Sequence, residues 1–217
     1  MILDRLPYTL QLGVAALLFA VAIATVLGVF AALFHNTWLD GLSMSIAILG
    51  VSIPNFWLGL MLISLFAVTL NWLPASGAGT LSHLILPTIA LGTAWAALTT
   101  RLIRSSMLDV LREDYVRTAR SKGQVERKVV THHALRNALI PVVTYVGAQI
   151  PGIVGGAVVT ETVFSRPGIG RLLILSISRR DFAVVEGVIL MIGVIVVFSN
   201  LLVDISYAFL DPQIRYE

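Results

Sequence analysis

The sequence contains no cysteine, which excludes two classes of small protein. A domain stapled by disulfides and a zinc site built on thiolates both require cysteine. Charge is also scarce, because Asp, Glu, Lys and Arg make up only 12% of the 217 residues, against about 25% in an average soluble domain. Between Arg5 and Arg101 the only charged residue is Asp40. A chain of this size cannot bury such long charge-free runs in a globular core, since much of it remains surface.

Apolar residues are in large excess. They make up 57% of the chain, and the mean hydropathy is +0.90, which excludes a disordered protein and indicates membrane spans. A hydrocarbon core of about 30 Å requires about 20 helical residues. We therefore predict an all-α, polytopic transmembrane bundle in which 1–217 form a single domain. Its five predicted spans are 9–34, 43–70 (interrupted by Pro54), 84–102, 138–160 and 182–209.

The distribution of basic residues predicts the orientation. Nine of the 15 Lys and Arg lie from Arg101 to Arg136, whereas the turn at 71–83 has none. The positive-inside rule places the loop at 103–137 in the cytoplasm, and the segments 71–83 and 161–182 outside. We expect Arg104 to extend to the inner membrane surface. The N-terminus then lies outside, which predicts that a preceding helix is missing from this chain or that its start is unusual.

The cytoplasmic loop is too long and too charged for a simple connector. Helix-forming residues lie on both sides of Gly123, so we predict two helices with a break at this glycine. Tyr115, Val116 and Ala119 share one helical face, and basic residues occupy the other. Two interpretations remain open: a basic amphipathic segment lying on anionic lipid, and a docking element for a soluble cytoplasmic partner.

Motifs along the chain carry a family resemblance. The run YVRTARSKG (115–123), with HALRNALIP (133–141) after it, resembles the cytoplasmic EAA signature loop of ABC-importer permeases. Ala119 and Gly123 match the last Ala and the Gly of that signature, and Pro141 matches its end. Arg117 and Thr118 replace Glu and Ala, which is similar to the dipeptide/oligopeptide/nickel branch. Stretches similar to the same branch are SIPNFWLGL (52–60), WLPASG (72–77), ETVFSRPGIGRLL (161–173) and NLLVDISYAFLDPQIRY (200–216).

The resemblance implies a type I permease of a binding-protein-dependent importer in a bacterial or archaeal inner membrane, here without the usual first helix. It implies four kinds of partner: a second homologous permease, two ABC ATPase subunits, a periplasmic or lipid-anchored substrate-binding protein, and membrane lipid. Nucleic acid is not expected. We expect di- or oligopeptide cargo, with nickel, glutathione and other substrates left open. The coupling residues carried over from the family are Tyr115, Arg117, Ala119, Lys122, Gly123, His133, Arg136 and Pro141.

The chain is not expected to be an enzyme or to bind a metal or cofactor. It has no G-x-x-x-x-G-K-[ST] run, so the ATP must be used by partner subunits. An intramembrane serine protease would need a Ser nucleophile close to a His base. Ser43 is the candidate nucleophile, but the predicted topology places His83 on the opposite side of the membrane and leaves only His35 nearby. A membrane scaffold without transport is the other alternative.

Polar residues and helix breakers in the spans suggest where a substrate passes. A mid-span amide such as that of Gln149 is costly to bury without a partner or water. The fourth span also contains several Pro and Gly residues, which are tolerated where a helix lines a cavity, or which allow close helix packing. The segment after Glu161 is amphipathic and forms either part of an outer gate or an interfacial helix. The candidate pathway or gate residues are Ser52, Asn55, Thr144, Gln149, Pro151 and Glu161.

Overall fold

A computed structural model describes the backbone of residues 1–210. The side chains of 150, 151, 153, 154, 156 and 202–210 lie outside this description, as do residues 211–217, so Pro151 and most of the 200–216 motif fall there. The described helices are α1 Leu6–Leu33, α2 Trp38–Ser52, α3 Asn55–Leu62, α4 Ser82–Val110, α5 Asp114–Ser121, α6 Glu126–Lys128, α7 Leu135–Ala138, α8 Ile140–Val163, α9 Ile169–Ser178 and α10 Phe182–Leu210. π-Helical segments extend α3 (Ile63–Thr69) and α6 (Val129–Ala134).

Helices α1 and α4 form the centre of the fold. The buried face of α1 is a stripe of small residues, among them Ala16, Ala20, Ala24 and Gly28. A Cβ added at Gly92 of α4 would come within 2.7 Å of the Ala16 carbonyl oxygen, and one added at Gly28 would meet α4 at Ile103. Ala16 lies against Gly92, and Gly28, further along α1, lies against Ile103, further along α4. The two helices are therefore parallel. Small residues let the two backbones approach closely, which is how helices gain packing energy in lipid.

Helix α8 packs antiparallel against this pair. Near its end, Ala157 joins a buried cluster with Leu12 and Leu91, and near its start Val142 joins one with Met107. The turn at 71–83 then meets the α8–α9 junction, where the Gly77 N–H donates a hydrogen bond to the Phe164 carbonyl (2.9 Å). The segments predicted to lie outside therefore share one end of the bundle, and the basic loop lies at the other.

The interruption predicted at Pro54 in the second span is present, and a single crossing over 43–70 stays a prediction. Helix α2 and the extended α3 segment, Asn55–Thr69, meet at an angle of 100°. Pro54 causes the break, because the residue before a proline avoids helical geometry, and Ile53 is extended here. Helix α4 continues past the predicted end of the third span at 102 as far as Val110, and the membrane bounds of that span stay a prediction.

The number of spans is not confirmed at five. Over the part of the chain that the structure describes, three helices are long and apolar enough to cross a membrane, and a fourth is added if the bent pair counts as one span. The three are Leu6–Leu33, Ser82–Val110 and Phe182–Leu201. Helix α8 coincides with most of the predicted fourth span, and part of it carries side chains outside the description.

Candidate coupling loop and two buried polar clusters

The break predicted at Gly123 is present and ends α5 in a Schellman motif. The Gly123 N–H donates to the Arg120 carbonyl (2.9 Å), and the Gln124 N–H donates to the Ala119 carbonyl (3.4 Å). Gly123 has φ of +74°, a left-handed conformation that glycine adopts without cost. A Cβ added there would meet no atom within 4 Å, so the tip of the loop is open to a partner.

A small apolar cluster folds the loop against the end of α4. Val116 of α5 and Val129 of the second π-helical segment are fully buried, and Ala119 is nearly so. They pack with each other and against Val110 and Leu111. The loop is therefore a folded unit anchored on its own chain. Ala119 faces this interior and offers little surface to a partner.

Tyr115 is less buried than Val116 and Ala119, since its side chain is 40% exposed. Its hydroxyl oxygen accepts a hydrogen bond from the Asn137 amide (2.7 Å) and lies 3.5 Å from the His133 carbonyl oxygen. The His133 ring in turn bonds the Gln124 side chain through Nε2 (2.8 Å). The structure thus brings the predicted residues Tyr115 and His133 together, and they join the two halves of the loop.

The outer surface of the loop is basic. Arg120 pairs with Glu126 through two hydrogen bonds of 3.1 and 2.7 Å, and this pairing holds the pKa of the Glu126 carboxyl below its ordinary value. Arg117 lies 3.7 Å from Asp114. The other predicted coupling residues at this surface are exposed: Lys122, Gly123, Arg136 and Pro141.

The candidate pathway residues lie on different helices. Ser52 ends α2 and donates its hydroxyl to the Ile48 carbonyl in its own helix (3.0 Å), while Asn55 begins α3 beyond the bend. Thr144 is exposed on α8, with its hydroxyl 3.4 Å from the Ile140 carbonyl oxygen, and Gln149 is half-buried further along the helix. These four residues thus belong to three different helices. Pro151 lies outside the described side chains.

Glu161 differs from the other pathway candidates because it is completely buried. Its Oε1 accepts a hydrogen bond from the Thr9 hydroxyl (2.5 Å), and its Oε2 accepts from the backbone N–H groups of Gly170 and Arg171 (2.9 and 3.1 Å). These two amides belong to the first turn of α9, where an anion is favoured by free N–H groups and the helix dipole. The carboxylate therefore joins α1, α8 and α9.

Arg166 is the cationic neighbour of this cluster and is only 3% exposed. Its Nε donates to the Tyr8 carbonyl and a terminal nitrogen donates to the Gln11 side chain, both at 3.2 Å. The guanidinium also lies 5.8 Å from the centre of the Tyr8 ring, within the range of a cation–π contact. Burial lowers the pKa of Arg166, and the charge of Glu161 opposes that shift.

A second buried polar cluster lies at the opposite end of α1. Arg104 of α4 donates from Nε to Asp40 Oδ1 (2.7 Å) and from a terminal nitrogen to Asp40 Oδ2 (2.6 Å). The Asn36 N–H and the His35 ring also contact Oδ2, each at 3.2 Å. Asp40 therefore holds the Arg104 guanidinium against the protein, and the expectation that Arg104 extends to the inner membrane surface stays a prediction.

Sequence reasoning missed the partners in both clusters, although it singled out Glu161. The signal for the second cluster was that Asp40 is the one charge in a run of apolar residues that ends near Arg101. The structure also shows the Ser43 hydroxyl donating to the Leu39 carbonyl (2.9 Å), while His35 contacts Asp40 and Arg104. Because Ser43 and His35 bond these other partners and not each other, the alternative of a serine protease with a Ser–His pair is disfavoured.

Comparisons with known proteins agree with this architecture. A family model described as "binding-protein-dependent transport system inner membrane component" matches residues 24–216. The glutathione transport system permease protein GsiC of Escherichia coli strain K12 is 47% identical over 216 residues, which cover 100% of this chain and 71% of the relative. The same-named protein of Salmonella paratyphi A is 45% identical over the same shares.

Two kinds of solved structure share the fold. The inward-facing MetNI methionine ABC transporter superposes with a TM-score of 0.79 at 17% identity, covering 96% of this chain and 95% of that chain. A crystal structure of an amino acid ABC transporter with histidines gives a TM-score of 0.64 at 19% identity, covering 94% and 91%. Identities this low show the fold alone.

Proposed function

Because the chain belongs to the family of binding-protein-dependent transport system inner membrane components, we propose that it forms half of the pathway through which an importer takes up short peptides such as glutathione. As a member of that family it is a multi-pass inner-membrane permease subunit of an ABC importer. The observation that carries the cargo class is the 47% identity, over the whole chain, to a glutathione transport system permease. The ATP-using subunits, the second permease and the binding protein are separate chains in this proposal.

The proposed contact with the ATPase is the loop from Asp114 to Pro141. Three features support it: the loop is anchored on α4 by Val116 and Val129, its tip at Gly123 is open, and its outer surface is basic. Since α4 is parallel to α1 and packed closely against it, a force on the loop would reach the spans through rigid helices. Lipid alone would not require such an anchored fold.

The cargo is tested with the reconstituted complex. The chain is co-purified with the ATPase, second permease and binding protein encoded beside its gene, and placed in lipid discs. We expect glutathione or a di- or oligopeptide to stimulate ATP hydrolysis, and liposomes containing the complex to accumulate it. Stimulation by nickel alone would overturn the peptide assignment. A complex that assembles but neither hydrolyses ATP nor transports would support the alternative of a scaffold.

The docking role is tested at Gly123. We expect Gly123→Arg to lower ATPase association and uptake by about tenfold or more, the effect of roughly 1.4 kcal/mol lost at the contact. Gly123→Ala carries the same left-handed backbone strain without the bulk, so its effect should be several times smaller. Gly79→Arg is the matched control, because Gly79 also has positive φ and open space but lies at the other end of the bundle. If Gly123→Arg and Gly79→Arg behave alike, the loop is not the docking site.

A further inference from the structure

We infer that Glu161 is a positioning residue that makes the outer ends of α1, α8 and α9 one mechanical unit, which moves as a single piece during transport. The inference rests on the proposed function only for the existence of a transport cycle. Its basis is the placement of one carboxylate between three helices that are far apart in sequence: Thr9 lies 152 positions before Glu161.

Hydrogen bonds hold both the Glu161 carboxylate and the Thr9 hydroxyl in place. The Glu161 carboxylate accepts from the Thr9 hydroxyl and from the N–H groups of Gly170 and Arg171. The Thr9 oxygen in turn accepts from the Ile169 N–H (2.9 Å). The first three amides of α9 are thus bound by side chains of two other helices. Separating any one helix would expose at least one buried donor without an acceptor, which is costly away from water.

Close packing also holds the start of α9 against the end of α8. A Cβ added at Gly168 would collide with the Glu161 carboxylate, and one at Gly170 would come within 2.5 Å of the Val158 backbone. The start of α9 therefore lies directly against α8 at two positions, with no gap in which it could slide. Arg166 adds a buried cation held by the Tyr8 carbonyl of α1. Polar and steric contacts thus fix the same three helix ends.

At the opposite end of the described bundle the helices are held mainly by apolar contacts, since Ala24 of α1, Met107 of α4 and Val142 of α8 share one buried cluster. There the Asp40–Arg104 pair joins α2 to α4, and the loop beyond Val110 is attached by a small apolar cluster. Apolar contacts can shift without leaving a buried donor unpaired, so we expect motion driven at the loop to be accommodated at this end of the bundle. It cannot be accommodated between α1 and α9.

Spin labels in the assembled complex measure this directly, and the chain has no native cysteine to remove. One label pair joins Leu10 of α1 to Ile177 of α9, both exposed in this chain. The second pair joins Leu10 to Val125 in the cytoplasmic loop. We expect the Leu10–Ile177 distance to be the same without nucleotide and with trapped ATP, and the Leu10–Val125 distance to change. A shift of the first distance between the two states in the wild-type complex would overturn the inference.

Two variants then separate positioning from simple stability. Glu161→Gln keeps the shape but lacks one acceptor oxygen, and Thr9→Val removes the hydroxyl that links Glu161 to Ile169. We expect both to broaden the Leu10–Ile177 distances and to lower uptake per ATP hydrolysed by about fivefold, a typical lower bound for coupling between sites. Thr25→Val is the matched control, because the Thr25 hydroxyl bonds only the Val21 carbonyl of its own helix (2.7 Å).

The outcomes distinguish the competing explanations. If Glu161→Gln lowers only the amount of assembled complex, and leaves the distances and the uptake per ATP of what assembles unchanged, Glu161 is a stabilising residue and the inference is wrong. If the Leu10–Val125 distance and uptake do not respond to ATP in the wild-type complex, the proposed function fails instead. In that case the Leu10–Ile177 distances in the Glu161→Gln variant still show whether Glu161 holds the outer ends of α1 and α9 together.

Discussion

Replacing Asp40 by Asn removes the negative charge from the cluster that joins α2 to α4. The new amide keeps the shape of the side chain, but one of its two ends can no longer accept a hydrogen bond. The guanidinium of Arg104, which donates to both oxygens of Asp40, then loses its counter-charge and at least one acceptor. We therefore predict that Asp40→Asn loosens the contact between α2 and α4 just before the cytoplasmic loop.

Burial sets the magnitude of this effect. The side chains of Asp40 and Arg104 are 8% and 24% exposed. Removing one partner of a fully buried ion pair costs about 3–5 kcal/mol, because the other charge is left unpaired. Since water reaches part of Arg104, we expect about 2–3 kcal/mol, between the values for buried and exposed pairs. The Arg120–Glu126 pair has a similar fork, with side chains 40% and 57% exposed, and we expect about 0.2–1 kcal/mol there.

The assay is a pair of double-mutant cycles on the free energy of unfolding in lipid or mild detergent. The first combines Asp40→Asn with Arg104→Gln, and the second combines Glu126→Gln with Arg120→Gln. Similar hydrogen-bond geometry in the two pairs leaves burial as the main difference between them. We expect the first coupling energy to exceed the second by at least about 1 kcal/mol. Equal coupling energies in the two cycles would refute the reasoning that burial makes the Asp40–Arg104 pair strong.

Two further predictions concern packing and pH. Gly92→Ala should destabilise the protein by about 1–3 kcal/mol in the same unfolding assay, because its Cβ would meet the Ala16 backbone. Gly193→Ala is the control, because a Cβ at Gly193 would meet no atom within 4 Å. It should be neutral or stabilise the protein by up to about 1 kcal/mol. The pKa of Glu126 is lowered in the folded loop, so its pairing with Arg120 stabilises the loop above the ordinary pKa of 4.5 and is lost as the pH falls below it. The protection of the amides in 114–128 against exchange, relative to the intrinsic rate at each pH, should therefore fall as the pH drops below about 4.5. Protection that does not depend on pH, or the same pH dependence in Glu126→Gln, would contradict this assignment.

The candidate site could be predicted from the sequence only where its signals were local. Gly123 ends a helix because it follows a run of helix formers and precedes another, and the structure confirms the break. The partners of Tyr115 were not local, because periodicity alone does not show that Asn137 would bond its hydroxyl at the surface. The stripe of small residues in α1, from Ala16 to Gly28 at every fourth position, is also a local pattern, but only the structure identified it as the face that packs on α4.

Patterns along the sequence were sufficient to predict the helical class, the multi-pass membrane character and the family. Each follows from properties that neighbours along the chain share: apolar length, the clustering of basic residues, and short motifs. Only the tertiary structure decided that Pro54 bends a predicted span by 100°, and that Asp40 meets Arg104 and Glu161 meets Thr9. Those partners lie 64 and 152 positions apart, and a hydrogen bond depends on the relative placement of two helices to within about an ångström. Packing between helices sets that placement, and no pattern within one helix specifies it.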